Sequence, residues 1–98
     1  MEKVFSIGGF DNRSWLSTVE VYDVASNTWT DGVNLPLPLY GAAAIPFEDT
    51  FLVIGGRSNS TFFNDKVYRY NRQDSTWMEM PELRLSEGKY GIVAMWVP

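Results

Sequence analysis

The side chains that could do chemistry in this sequence are carboxylates, tyrosines and lysines, because histidine and cysteine are both absent. Without cysteine there is no thiolate nucleophile, no disulfide and no thiolate ligand for zinc or an iron–sulfur cluster. Without histidine the commonest general base and the commonest transition-metal ligand are both missing. Acid/base work would fall to carboxylates such as Asp31 and the adjacent Glu48 and Asp49. These residues sit beside Gly32 and Thr50, in turn-like surroundings where acidic side chains are mostly solvated turn formers. The pairs Gly8-Gly9 and Gly55-Gly56 lack the following Lys-Ser/Thr of a phosphate-cradling loop. The sequence therefore predicts no catalytic residues, no metal, no cofactor and no enzyme.

Two polar stretches offer recognition chemistry instead: FDNRSWLS after Gly9 and RSNSTFFND after Gly56. Arg57 could fork onto a carboxylate, while Ser58 and Asn59 offer adaptable hydrogen bonds. Phe62 and Phe63 would add apolar area, although at least one of them is expected to pack under its loop as a plug. The first stretch supplies Arg13 and Trp15, and Tyr40 and Tyr90 each precede a glycine. Aromatic and Arg side chains at loop tips are the usual anchors of binding interfaces. Asn12-Arg13-Ser14 and Asn59-Ser60-Thr61 also fit the N-glycosylation sequon, so Asn12 and Asn59 are acceptor candidates in a secreted protein. Such triplets are frequent by chance in Ser- and Asn-rich loops.

The chain that must position these residues has 98 residues, enough for one small domain or a piece of a larger one. Apolar residues make up 45% and charged residues 20%, the balance of a folded chain. Four Trp, five Tyr and six Phe favour packed sheets, where flat rings cover a pleated surface well. Eight basic and twelve acidic residues give a net charge of −4, and no two basic residues are adjacent. Nothing could neutralise a run of phosphates, so nucleic acid and membrane surfaces are excluded as expected partners. The longest uncharged apolar stretch, Leu35 to Phe47, carries Pro36, Pro38 and Pro46 and is too short to span a bilayer. The run near the N-terminus is too brief for a secretory signal. A soluble, cytoplasmic chain is expected, with the two sequons keeping a secreted alternative open.

The chain repeats itself. Gly8-Gly9 recurs 47 residues later as Gly55-Gly56, Tyr22 and Trp29 recur 48 later as Tyr70 and Trp77, and Tyr40-Gly41 recurs 50 later as Tyr90-Gly91. Four landmarks in one order, with small drift between them, define two copies of one unit. Each copy reads as short strands. Val4–Ile7 and Phe51–Ile54 are apolar runs expected to end at the double glycine. Val19–Val24 and Lys66–Tyr70 alternate as half-buried strands, then polar turns lead to strands at Trp29 and Trp77. LPLPL and MPEL cannot continue a ladder. GAAAI and GIVAMW are charge-free, which suits strands buried on both faces. The prediction is all-β, with four strands per repeat.

Taken together, IGG at 7–9 with VEVYD and Trp29, and IGG at 54–56 with VYRYN and Trp77, resemble the kelch repeat. The resemblance implies four-stranded antiparallel β-propeller blades, with the Tyr and Trp packed between blades and the charge-free runs lining a central channel. With strands labelled a to d outward from the channel, residues 1–38 supply strands b, c and d of a first blade. Residues 39–83 supply a complete second blade, and 84–98 hold an Arg-bearing segment and a lone strand a, Gly91–Trp96. That is about two blades of a ring that typically needs four to eight. The ring is therefore incomplete: further blades in the same chain or self-association must complete it. Arg69 departs from the pattern by standing where the first copy has Val21, and Arg84 has no counterpart in the first proline segment.

Kelch resemblance places the b–c and d–a loops on one face of the disc, where a protein or peptide partner would dock. The expected partner-binding residues are Arg13, Trp15, Tyr40, Arg57, Ser58, Asn59, Phe62 and Tyr90. It also implies substrate adaptors of ubiquitin ligases as one functional class. The alternative is a structural segment of an extracellular or galactose-oxidase-like enzyme. The copper, His and Tyr–Cys crosslink of that oxidase cannot be built from this chain alone.

Overall fold

The computed structural model of the chain describes residues 3–59 and 61–91. Three strands, β1 (Lys3–Phe10), β2 (Trp15–Asp23) and β3 (Thr28–Asp31), form one antiparallel sheet in the order β1-β2-β3. Four more, β4 (Ala43–Phe47), β5 (Thr50–Ile54), β6 (Val67–Asn71) and β7 (Thr76–Glu79), form a second in the order β4-β5-β6-β7. A single 3-10 turn at Pro81–Leu83 follows. These are two neighbouring blades, one of three strands and one of four, as the repeat predicts. The proposed lone strand at Gly91–Trp96 lies beyond Gly91 outside the described residues.

The glycine pairs behave differently in the two copies. β5 stops at Ile54, before Gly55, as expected. β1 instead runs through Gly8-Gly9 to Phe10, against the expectation that it ends at Ile7. The physical reason is a bulge: Ile7 pairs with Val19 and Gly9 with Leu16, so two steps on β1 span three on β2. Gly8 takes φ 63° and Gly9 φ 116°, conformations that absorb the mismatch without ending the strand. β2 consequently starts at Trp15, four residues before the expected Val19.

Strand alternation gives each sheet two unlike faces. One carries the Tyr–Trp pair: Val4, Tyr22 and Trp29 share a register row in the first blade, and Phe51, Tyr70 and Trp77 share it in the second. The opposite, aliphatic face carries Phe5, Ile7, Val19 and Val21 in the first blade. The aromatic face of the second blade packs on the aliphatic face of the first. Val19, Leu35 and Leu39 from one side and Val53 and Tyr68 from the other form a single buried cluster. Phe5 lies 5.0 Å from Phe51 and 5.2 Å from Tyr70, ring centre to ring centre. Trp77 donates its indole N–H across the blade boundary to the Val33 carbonyl at 2.9 Å. Burial raises the Tyr68 phenol above its ordinary value, with Glu79 and Asp65 adding to the shift.

The expected place between blades therefore holds for Tyr70 and Trp77. It does not hold for Trp29, which is 52% exposed because no described blade lies against its face. Strand a departs from expectation for the same reason. In β4, Ala44 and Pro46 are exposed, since the three-stranded first sheet has no equivalent strand to cover them. The proline segment contributes more than a ladder break: Leu35 and Leu39, 4% and 1% exposed, are core residues. Arg69 lies over the Phe47 ring, 3.1 Å from the Glu48 carboxylate and 3.7 Å from that of Asp49. Arg84 pairs with Asp65 of its own blade at 2.8 Å.

Candidate functional site

Main-chain hydrogen bonds lace the d–a segment of each blade to its b–c loop in a repeated pattern. Gly9 N–H donates to Leu39 O, and Leu39 N–H to Leu16 O. In the second copy Gly56 N–H donates to Lys89 O, and Lys89 N–H to Asn64 O. Tyr40 and Arg57 exchange both main-chain hydrogen bonds, at 3.0 and 2.9 Å, and Arg57 also bridges Phe63. These ties bring loops distant in sequence to one end of both sheets.

The side chains gathered there form two equivalent triads. In the first blade Phe10, Trp15 and Tyr40 meet, with Phe10–Trp15 at 5.1 Å and Trp15–Tyr40 at 5.9 Å. In the second blade the matching positions hold Arg57, Phe63 and Tyr90, with Phe63–Tyr90 edge-on at 5.2 Å. Arg57 thus stands where the first copy has Phe10, directly after the glycine pair. Its guanidinium lies 4.6 Å from the centre of the Tyr90 ring, 5.2 Å from Phe63 and 5.3 Å from Trp15. The last contact joins the two triads into one platform. Rings within about 6 Å attract a cation through their quadrupoles, holding the planar guanidinium in a defined orientation. Its Nε also donates to Asn59 O at 3.2 Å.

The platform stays open to solvent: Phe10, Tyr40, Phe63 and Tyr90 are each between 41 and 45% exposed. The expected plug is corrected here. Phe62 and Phe63 are 44% and 42% exposed, and the residue buried under the loop is Asn64, at 0%. Its Nδ2 donates to Gly55 O and Lys66 O, and its Oδ1 accepts from Lys66 N–H. A fully hydrogen-bonded amide holds this loop in shape where an aromatic plug had been expected.

The other expected binding residues divide by how they are engaged. Ser58 donates its hydroxyl to Pro38 O at 2.6 Å, tying the loop to the preceding segment. Asn59 is exposed, but its Oδ1 accepts from Thr61 N–H, Thr61 Oγ1 and Phe62 N–H, which shapes the turn. Asn12 takes φ 76° in the first loop, where Asp11 accepts from the N–H groups of Ser14 and Arg13. Those bonds, from Ser14 first and then Arg13, hold the Asp11 carboxyl below its ordinary value. Arg13 is exposed, and among the described residues its side chain makes no contact with the platform. The structure thus brings together Trp15, Tyr40, Arg57 and Tyr90. Phe63, expected only as apolar area or as a plug, joins them, and so does Phe10, which the sequence reading did not single out. The repeat held the missed signal, since Phe63 is Trp15 displaced by 48 and Phe10 is Arg57 displaced by 47. Among the described residues no three acidic side chains converge as a metal site would need.

Comparison with known proteins gives the same architecture. The kelch motif family model matches residues 2–36 and 38–84. Kelch-like protein 35 of Mus musculus is 36% identical over 75 residues, covering 76% of this chain and 13% of that protein. F-box/kelch-repeat protein At1g67480 of Arabidopsis thaliana is 42% identical over 77 residues, covering 76% of this chain and 20% of that protein. The chain therefore spans a fifth or less of the length of these relatives. Among solved structures, that of YjhT superimposes with a TM-score of 0.63 at 19% identity, over 76% of this chain and 22% of that one. Two motif matches and two blades in sequence order converge: the chain belongs to the kelch-repeat family.

Proposed function

We propose that this chain is a non-catalytic recognition module that binds a protein or peptide on the platform around Arg57. The observation that carries this reading is the guanidinium held among three rings on an exposed surface built from four separate loops. The planar fork of an arginine suits a carboxylate or a peptide carbonyl, and the ring contacts fix where that fork lies. The surrounding rings supply flat apolar area at low cost in side-chain entropy. The preferred ligand is a segment that presents an acidic side chain next to an apolar or aromatic one. An adaptor role, delivering a bound protein to a ubiquitin ligase, is supported by the Kelch-like and F-box/kelch relatives. Completion of the ring by further blades belongs to the same reading.

The test is peptide display on the immobilised chain, followed by affinity measurement of the enriched sequences. Replacing Arg57→Ala together with Tyr90→Ala should reduce affinity at least tenfold, about 1.4 kcal/mol, with little change in melting temperature. Arg57→Lys should fall between, keeping the charge but losing the planar fork. Enriched peptides that bind the double variant equally well would remove this face from consideration.

A further inference from the structure

The turn that joins the last two strands of each blade keeps its backbone shape in both repeats but changes its side chains. In the first blade the Tyr22 hydroxyl donates to Asn27 Oδ1, which occupies the phenol within its own blade. The second blade has Tyr70 and Ser75 at the matching positions, and Asn27 and Ser75 both take φ 55°. The shorter serine does not make that tie. Neither the Tyr70 nor the Ser75 hydroxyl has a hydrogen-bond partner among the described residues. In the same turn Arg72 stands where the first repeat has Val24.

These two hydroxyls line a cavity of about 480 Å³ at the seam between the blades. Ligand pockets are on the order of 300–1,000 Å³. The cavity lies at the strand ends opposite the Arg57 platform, beside the start of β1 and the β4–β5 and β6–β7 turns. Its apolar wall is built from half-buried rings: Phe51 and Tyr70 stack at 5.5 Å, and Phe5 stands 5.0 Å from Phe51. Lys3 of the first blade and Arg72 of the second set two cations against one lining carboxylate, Asp49, an excess of one positive charge. Arg69 also faces that carboxylate, at 3.7 Å. Arg72 donates to Asp49 O at 2.8 Å, which holds its guanidinium beside the cavity. Lys3 has no ion-pair partner among the described residues.

We propose that this seam cavity binds a small planar aromatic acid carrying a single carboxylate. The ligand's ring packs on the Phe51 and Tyr70 rings, where flat apolar surfaces attract one another in offset or edge-on contact. Its carboxylate is taken up by Lys3 and Arg72, and the Tyr70 and Ser75 hydroxyls donate to its oxygens as charge-assisted hydrogen bonds. One excess positive charge matches a monoanion, whereas a phosphate ester would bring a second negative charge with no partner. The first repeat cannot form such a site, because Asn27 already accepts from its tyrosine. The site is separate from the Arg57 platform, so its failure would leave peptide binding untouched.

Titration of the isotope-labelled full chain with naphthoate, followed through its amide NMR signals, tests it. Naphthoate should bind with a dissociation constant on the order of 1 mM or below. It should move the amides of Thr50, Phe51, Tyr70 and Ser75 and leave those of Arg57 and Tyr90 in place. Naphthamide, of the same shape but neutral, should bind about tenfold more weakly. Tyr70→Phe keeps the ring and should weaken naphthoate binding about tenfold at an unchanged melting temperature. Ser75→Asn, which supplies the first repeat's partner for the phenol, should abolish binding while keeping or raising the melting temperature. A wild-type chain that naphthoate leaves unshifted at its highest soluble concentration overturns the proposal. So does binding that Arg57→Ala removes, binding that Tyr70→Phe or Ser75→Asn leaves intact, or naphthamide or naphthyl phosphate binding as tightly as naphthoate.

Discussion

Trp29 and Trp77 occupy the same place in their blades, yet their surroundings differ enough to separate two roles of one residue type. Trp77 is half-buried against Phe51 and Tyr70 and donates across the boundary to Val33 O. Trp29 keeps its tilted ring contact with Tyr22 but is 52% exposed, and its indole N–H has no hydrogen-bond acceptor among the described residues. Trp77→Ala should therefore cost about 2–4 kcal/mol, somewhat below the range for a fully buried ring. Trp29→Ala should cost less than about 1 kcal/mol, as for other surface changes. Urea denaturation of the two variants gives the comparison. Equal losses would mean that the boundary contact of Trp77 contributes nothing. The same logic separates Phe10 from Arg57: equivalent backbone positions carry a ring in one triad and a ring-held cation in the other. Chemistry diverges at one residue while the scaffold is kept.

The double glycines show the limits of reading elements from residue types. Apolar runs, alternation and polar turns were enough to identify the strands, because period and composition act locally. The fate of β1 at Gly8-Gly9 was not legible, since glycine permits both a strand end and a bulge. The d–a segment docks on both glycine pairs alike, so the difference lies in the partner strand: β2 supplies Leu16 and Trp15 opposite Gly9 and Phe10, where β6 pairs with β5 only as far as Val67. A Cβ on Gly8 would stand 2.3 Å from Leu39 O, at φ 63°, whereas one on Gly9 would meet nothing within 4 Å. Gly8→Ala should therefore destabilise by about 2 kcal/mol or more, clash adding to backbone strain, and Gly9→Ala by about 1 kcal/mol. Thermal melts of both variants check the order, and a reversed order would mean that the segment moves aside freely. Leu35 and Leu39 were hidden for a related reason: prolines mark a break in the ladder but say nothing of what the intervening leucines pack against. Trp15, Tyr40, Arg57 and Tyr90 were legible as loop anchors. Phe63 and the buried Asn64 depended on how RSNSTFFND folds over Gly55, which no local pattern reveals.

At the scale of the molecule, the decisive fact is that the larger buried cluster belongs to neither blade. Val19 comes from the first sheet, Leu35 and Leu39 from the connection, and Val53 and Tyr68 from the second sheet. A three-stranded blade separated from its neighbour would expose Phe5, Ile7, Val19 and Val21 together. Such a face costs roughly 25 cal/mol for every Å² of apolar surface returned to water. The second blade has its own smaller cluster of Ile45, Leu52 and Val67, but separation would also uncover Phe51, Tyr70 and Trp77. Neither sheet can therefore lose the other and keep its packing, as expected of repeats that bury their cores only against neighbours. The two blades should unfold in one cooperative step. Variants that keep a single indole, with Trp15 and Trp96 replaced by Phe in both and Trp77 or Trp29 replaced in turn, allow each blade to be followed separately, alongside far-ultraviolet circular dichroism of both sheets. The urea midpoints from these signals should coincide once corrected for the small shifts of the substitutions themselves. Midpoints that separate, with the Trp29 signal lost first, would show that the first blade melts away while the second survives on its own cluster.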